Sequence, residues 1–349
     1  MISNTWVKAP SGELERRELE LADPRDHEVL LAVRLATVCG SDIHFLEDFP
    51  LQRGTDYQAM GHEAVGVVAA AGSGVRGVKE GDRAIASCLY GCGACRNCQR
   101  GQVGICERYG RLPGMSNILA GCQGEAFLVP HADVNVVRVP DELSDEAAIL
   151  ATDIMSTGFA AVERGGLRAG DTVAVFAQGP VGLCATAGAR ALGAGLIIAV
   201  ERVPERVEMS KRLGADVVLD PQDALEGIRE LTGKRGVDVA IEALGHRDTF
   251  AAALAAARLD GTVSSVGVYG QDRSLELPVG PAFYQRRIVT SMCPCGTDRL
   301  QALLAILRGG RTGLEALFTH HLPISRTDEA YELFRHRRDG AIKIGLVPG

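Results

Sequence analysis

Residues Cys92 to Cys106, CGACRNCQRGQVGIC, place four cysteines in the spacing CxxCxxCx7C. Thiolates so close along the chain can close a tetrahedron around Zn²⁺ within one loop, and a shell of four sulfurs leaves no position for a substrate. The stretch therefore reads as a clamp, shaped by metal instead of by a core. A disulfide scaffold is disfavoured, because the other six cysteines, Cys39, Cys88, Cys122, Cys184, Cys293 and Cys295, are spread along the chain. Chemistry on a substrate must be sought elsewhere. VCGSDIHF offers Cys39, Asp42 and His44, MGHEAVG offers His62 and Glu63, and ATDIMSTGF offers Asp153. Thiolate, imidazole and carboxylate together suit Zn²⁺, and three such ligands leave a fourth position open. Taken singly, each has an ordinary reading: Cys39 as a small buried apolar residue, His62 as a core histidine, Asp153 as a helix N-cap.

A second kind of chemistry is written in DTVAVFAQGPVGLCATAGARALG, where Ala177, Gly179 and Gly182 occupy the three positions of GxGxxG after a strand and at the opening of a helix. Gly179, followed by Pro180 and Val181, would let the backbone approach a pyrophosphate, and Gly182 would let helix and sheet pack closely. Ala177 in place of the first glycine weakens the match. Glu201 follows Gly182 by 19 residues, where an acid grips the adenosine ribose hydroxyls and repels a 2′-phosphate. NAD is thus favoured over NADP, although Arg202 and Arg206 are close enough in sequence to neutralise a phosphate.

These residues need elements to hold them. From about residue 29 to 140 the chain reads as short strands punctuated by glycine, such as EVLLAVRLATV, EAVGVVAAAGSGV and EAFLVP. After Gly170, strand and helix alternate, with strands expected over 172–177, 196–200, 216–219, 237–242, 262–267 and 288–292. Six strands with helical crossovers describe a doubly wound parallel sheet. The tail carries a helix in DRLQALLAILRGG and a last strand in AIKIGLVPG. At 349 residues two domains are expected, a β-rich one over 1–151 and 293–349 with the cysteine lobe at 88–108, and an α/β one over 152–292. The net charge of −7 and the absence of a Lys/Arg run exclude nucleic acid or an anionic membrane as main partner and leave a small molecule. MISNTWVKAPSGELERRELE is no signal peptide, and LCATAGARALGAGLIIAV, with Arg190, is no spanning helix, so a cytoplasmic location is expected.

Along nearly the whole chain, CGSDIH, GHEAVGVV, the cysteine lobe, GPVGL and a C-terminal return with Lys343 resemble the medium-chain zinc alcohol dehydrogenases. Within that family TDIMSTGF, ADVNVVRVP and MCPCG look most like tetrameric bacterial secondary-alcohol dehydrogenases, some of which lack the lobe cysteines. The resemblance implies a GroES-like catalytic domain and a Rossmann cofactor domain, with two zinc ions per chain. Cys39, His62 and Asp153 would ligate the catalytic zinc, Glu63 would stand beside them and be able to join, and Asp42 would orient His62. Ser41 would hydrogen-bond the reacting oxygen, and His44 would carry the proton on through a ribose hydroxyl to water. Thr157 would lie against the nicotinamide, Val266 to Val268 at its carboxamide, and Lys343 at the cofactor. A homotetramer is implied, a dimer being the alternative.

The expected reaction is hydride transfer between a small or medium apolar secondary alcohol, or its ketone, and NAD. A polyol or diol dehydrogenase is the alternative, because CGSDIH is shared with those enzymes. A non-catalytic dinucleotide-binding protein is disfavoured by the intact metal set. The segments 45–58 and 108–122 are expected to line the pocket, Arg108 and Arg111 being their only obvious anion-binding groups. Cys293 and Cys295 lack CxxC spacing and read as packing, and Cys88, Cys122 and Cys184 as apolar fillers.

Overall fold

The computed structural model describes residues 1–51, 54–109, 121–270, 272, 274–280 and 285–349. Contacts divide the chain into two compact units, one of Met1–Ser156, Cys293–Arg311 and Phe318–Gly349, the other of Thr157–Met292 with Thr312–Leu317. The first boundary falls five residues later than residue 151, inside the helix Ile154–Gly165. Ser156 stays with the first unit, its hydroxyl donating to Pro294 O at 2.7 Å. The short segment Thr312–Leu317, expected with the tail, groups with the second unit.

In the first unit the strand Val29–Val38 is the hub. Its apolar, β-branched sequence is buried on both faces except near Arg34, as suits a strand with partners on either side. It pairs antiparallel with Ala64–Ala71, with Ala126–Val129 and with the returning tail strand Lys343–Val347, where Ile344 lies opposite Val38. The sheet of seven strands continues through Arg83–Ala86 and Val136–Arg138 on one side and Phe318–Pro323 on the other. Leu31, Val38, Ala64, Phe127, Tyr331 and Ile344 meet in the core beneath it. A smaller sheet joins Leu14–Glu20, Ile2–Lys8 and Gln58–Ala59.

Directly after the hub strand the chain turns into the short helix Gly40–Glu47. Cys39 is its N-cap in extended conformation, and Asp42 Oδ2 reaches back to accept the Cys39 N–H at 2.9 Å. The β-rich reading of this region left the helix out. The helix places Ser41 and His44 three residues apart on one helical face.

In the second unit six parallel strands stand in the order 3-2-1-4-5-6 by sequence: Val217–Leu219, Leu196–Val200, Thr172–Phe176, Val237–Glu242, Ala257–Ser265 and Arg287–Thr290. This is the order of a dinucleotide-binding sheet. Five of these strands begin within a residue of their expected positions. The fifth starts at Ala257, ahead of the expected Thr262, because Ala257 already pairs with Val237 across a register shift before Thr262 meets Val239.

Candidate active site and metal centres

Three chain segments bring Cys39, His62 and Asp153 together, their ligand atoms all within 4.8 Å of one another and all three residues buried. The Cys39 thiol donates to Asp153 Oδ2 at 3.6 Å, and His62 Nε2 lies 3.2 Å from that same oxygen. Ser41 Oγ joins them, 3.4 Å from Cys39 Sγ and 3.2 Å from His62 Nε2. His62 Nδ1 faces Asp42 Oδ1 at 2.9 Å, so the ring presents Nε2 to the cluster. His44 stands outside it, half-buried, with Nδ1 on Asp48 Oδ2 at 2.6 Å.

The donor set fits a soft-to-borderline cation. Burial, then Glu63 and Asp153, push the Cys39 thiol up, and burial lowers but Asp42 and Asp153 together hold His62 well above the ordinary imidazole range. Cys39, Asp42, Asp153 and Glu63 face one imidazole and the Lys343 ammonium, so with its thiol deprotonated the buried cluster still wants positive charge. Glu63 is part of the same demand. Its Oε2 receives the Thr37 hydroxyl and the Lys343 ammonium, while Oε1 has no hydrogen-bond partner although fully buried. Lys343, for which the resemblance implies a cofactor contact, is fully buried, its ammonium engaged by Glu63 and by Val38 O.

Two supporting residues escaped the sequence. Gln123 donates through Nε2 to Asp42 Oδ2 at 3.2 Å and to Thr37 O at 3.0 Å, and its Oε1 accepts the Tyr331 hydroxyl at 2.8 Å. Only the glycine before His62 hinted at this packing. Gly61 has φ +85°, and a Cβ there would come within 2.6 Å of Gln123.

The four lobe cysteines also converge, their sulfurs within 4.8 Å of one another. Cys95 N–H points at Cys92 Sγ (3.4 Å) and Cys98 N–H at Cys95 Sγ (3.5 Å), the polarity that stabilises thiolates. Burial works upward on Cys95, but backbone N–H groups of Cys98 and Glu107 outweigh it and draw the thiol down to about 6. The lobe fits a closed four-sulfur metal shell.

In the second unit Gly179 caps the helix Pro180–Ala191, and a Cβ on it would meet nothing nearer than Arg206 Nη1 at 3.9 Å. That open space beside the helix N-terminus fits a phosphate. Gly182 is sterically required, since its Cβ would stand 2.0 Å from Ala177 O. Ala177 itself has φ +70°, so the turn keeps the backbone of the glycine pattern at a cost of about 1–2 kcal/mol. Glu201 is buried at the end of its strand, one oxygen accepting the Gln178 N–H at 3.0 Å and the other those of Arg202 and Val203 at 2.8 and 3.0 Å. Its carboxylate ties the glycine turn to the next crossover. Arg206 is buried and Arg202 exposed. Thr157 is buried at the first residue of this unit, and Val266 and Val268 follow the strand Ala257–Ser265, where Gly267 packs against Gly245 so tightly that a Cβ would lie 2.0 Å from its nitrogen. Of the segments expected to line the substrate pocket, residues 52, 53 and 110–120, including Arg111, lie outside the described residues, and Arg108 is exposed.

The remaining cysteines are buried, as apolar fillers would be, but Cys88, Cys293 and Cys295 form a cluster of their own that the sequence did not announce. Among the described residues no helix is long and apolar enough to cross a membrane.

Residues 25–141 match the alcohol dehydrogenase GroES-like domain and residues 180–308 the zinc-binding dehydrogenase family. An alcohol dehydrogenase of Cupriavidus necator is 39% identical over 97% of this chain and 96% of its own length. The NADP-dependent isopropanol dehydrogenase of Thermoanaerobacter brockii is 33% identical over 93% of this chain and 94% of its own. The solved structure of the alcohol dehydrogenase TADH from Thermus sp. ATN1 superposes with a TM-score of 0.87 at 34% identity, covering 99% of this chain and 100% of that one. The chain belongs to the medium-chain zinc-dependent alcohol dehydrogenases, and its activity is zinc-dependent oxidoreduction of an alcohol with a nicotinamide cofactor.

Proposed function

We propose that the chain is an NAD-linked secondary-alcohol dehydrogenase, reversible as a ketone reductase. One zinc would be held by Cys39, His62 and Asp153, and a second, structural one by Cys92, Cys95, Cys98 and Cys106. The meeting of a thiol, an imidazole and a carboxylate from residues 39, 62 and 153 carries this reading. Zinc held by the first set would supply Lewis acidity to an alcohol oxygen, and a nicotinamide cofactor would supply the hydride acceptor.

The chain's own residues do the rest. Asp42 and Gln123 fix the His62 ring and the Cys39 backbone, so the donor atoms are in place before substrate arrives. Ser41, within hydrogen-bond reach of His62 Nε2, would accept the proton of the alcohol, and His44, anchored by Asp48, would carry it on toward water, with a ribose hydroxyl of the bound cofactor as the link between them. Glu63 balances Lys343 and keeps one carboxylate oxygen available to the metal. Gly179, Pro180, Val181 and Gly182 line the pyrophosphate, Glu201 holds the adenosine ribose, and Thr157, Val266 and Val268 hold the nicotinamide.

Support for NAD comes from the buried Glu201 carboxylate, which a 2′-phosphate would have to face; Arg202 and Arg206 beside it, and the cofactor named for the Thermoanaerobacter relative, favour NADP as the second reading. A cytoplasmic homotetramer completes the proposal. Steady-state kinetics with NAD and NADP, on apolar secondary alcohols and on polyols, test it. Higher kcat/KM with NAD and with the apolar alcohols is expected; turnover of polyols alone would refute the substrate assignment, and preference for NADP the cofactor assignment.

A further inference from the structure

Cys88, Cys293 and Cys295 bring three thiols into one buried cluster, their sulfurs all within 4.8 Å of one another. Cys88 follows the strand Arg83–Ala86, whereas Cys293 and Cys295 stand where the chain re-enters the first unit, so the cluster joins segments more than 200 residues apart. Cys88 Sγ and Cys295 Sγ are 3.8 Å apart, the separation also found between Cys95 and Cys106 in the four-cysteine lobe. Sulfurs sharing one ion at about 2.3 Å stand about 3.8–4.0 Å from each other, at tetrahedral or trigonal angles. The side chains packed around the cluster, Leu89, Val103 and Val134, are apolar, and the polar groups within reach are backbone carbonyls, Cys293 O accepting the Cys295 thiol at 3.3 Å and Pro294 O the Cys293 thiol at 3.5 Å. Among the described residues no fourth cysteine, histidine or carboxylate completes the set.

We propose that these three cysteines form a third metal site, selective for a thiophilic monovalent ion, Cu(I). Three sulfurs without an oxygen or nitrogen donor satisfy a three-coordinate soft ion, whereas Zn²⁺ would lack its fourth ligand in an apolar wall. Binding forms three S–Cu bonds. Each sulfur that binds as thiolate releases its proton to solvent, copper stays Cu(I), and nothing is oxidised. The site abuts the catalytic set through the backbone. Cys88 N–H donates to Thr152 O at 3.3 Å, and the Cys293 thiol donates to Asp153 O at 3.7 Å. An ion here would replace that thiol contact while leaving the Asp153 carboxylate in place.

The test is an anaerobic titration of the zinc-replete enzyme with Cu(I) buffered by bicinchoninate, counting copper and zinc per chain after desalting. One copper gained per chain with no zinc released, and an ultraviolet thiolate-to-copper band, are expected. That extra equivalent should vanish in Cys88→Ser and in Cys295→Ser, each checked for parental zinc content. Copper uptake matched by zinc release would overturn the site, as would uptake that persists in both variants. Copper K-edge absorption on the unmutated chain needs no variant: three sulfur neighbours are expected, and nitrogen or oxygen neighbours would refute the assignment. A disulfide between Cys88 and Cys295, found before titration by mass mapping of the non-reduced peptides, would make the two a redox pair, and the metal site would fall.

Discussion

Asp42 Oδ1 lies 2.9 Å from His62 Nδ1, and the other oxygen of the same carboxylate lies 2.9 Å from Cys39 N, so one buried side chain aligns two members of the candidate metal set. Its charge also raises the basicity of the ring. Asp42→Asn keeps the shape and removes the charge, and should weaken zinc binding by about 10–100-fold. Competition against a chromophoric chelator measures this; unchanged affinity would show that Asp42 only caps the helix Gly40–Glu47.

Under the proposed function Glu201 has two parts, holding backbone N–H groups and facing the adenosine ribose, which substitution can separate. Glu201→Ala strips the acceptor from three backbone N–H groups and should lower stability by about 1–3 kcal/mol, read as a fall in the urea midpoint. Glu201→Gln loses the charge and keeps one of the two acceptors, which can still serve Arg202 and Val203 N–H while its NH2 faces the N–H of Gln178. It should keep most of the stability while the NAD over NADP ratio of kcat/KM falls about tenfold, since each factor of ten is about 1.4 kcal/mol of discrimination. An unchanged ratio would mean that cofactor choice lies elsewhere.

Asp238 offers a pH signature. Burial works upward on its carboxyl, but the Thr172 N–H and Arg258 outweigh it and hold the group below the usual carboxylate range. A carboxylate depressed in the fold stabilises above its unfolded pKa, about 3.9, and loses that contribution as pH falls through the folded value. Asp238→Asn should therefore be less stable than the parent at pH 7, and the gap should close below about pH 4. Paired urea titrations from pH 7 downward read the difference, in which titrations common to both proteins cancel. A gap independent of pH would assign the loss to packing.

Much of this was legible because the chemistry is local in pattern. The glycine turn, Glu201 and the parallel strands follow from periodicity and spacing, and the lobe cysteines from their separation alone. What escaped depends on long-range packing. Gln123 and Tyr331 touch Asp42 and each other from distant segments, and no spacing marks them. The meeting of Lys343 with Glu63 is equally long-range: strand Lys343–Val347 pairs with Val29–Val38 and delivers the ammonium to Glu63. Cys293 and Cys295 read as packing because their partner, Cys88, lies more than 200 residues away. Eight residues of helix after Cys39 were too few to show a period, yet they set the geometry of Ser41 and His44.

The central claim is that Cys39, His62 and Asp153 hold a catalytic zinc distinct from the structural one. Zinc per chain and turnover in Cys39→Ser test it together. Two zinc ions are expected in the parent and one in the variant, with activity lost and the fold retained; a variant that still turns over at the parental rate would contradict a catalytic zinc at Cys39.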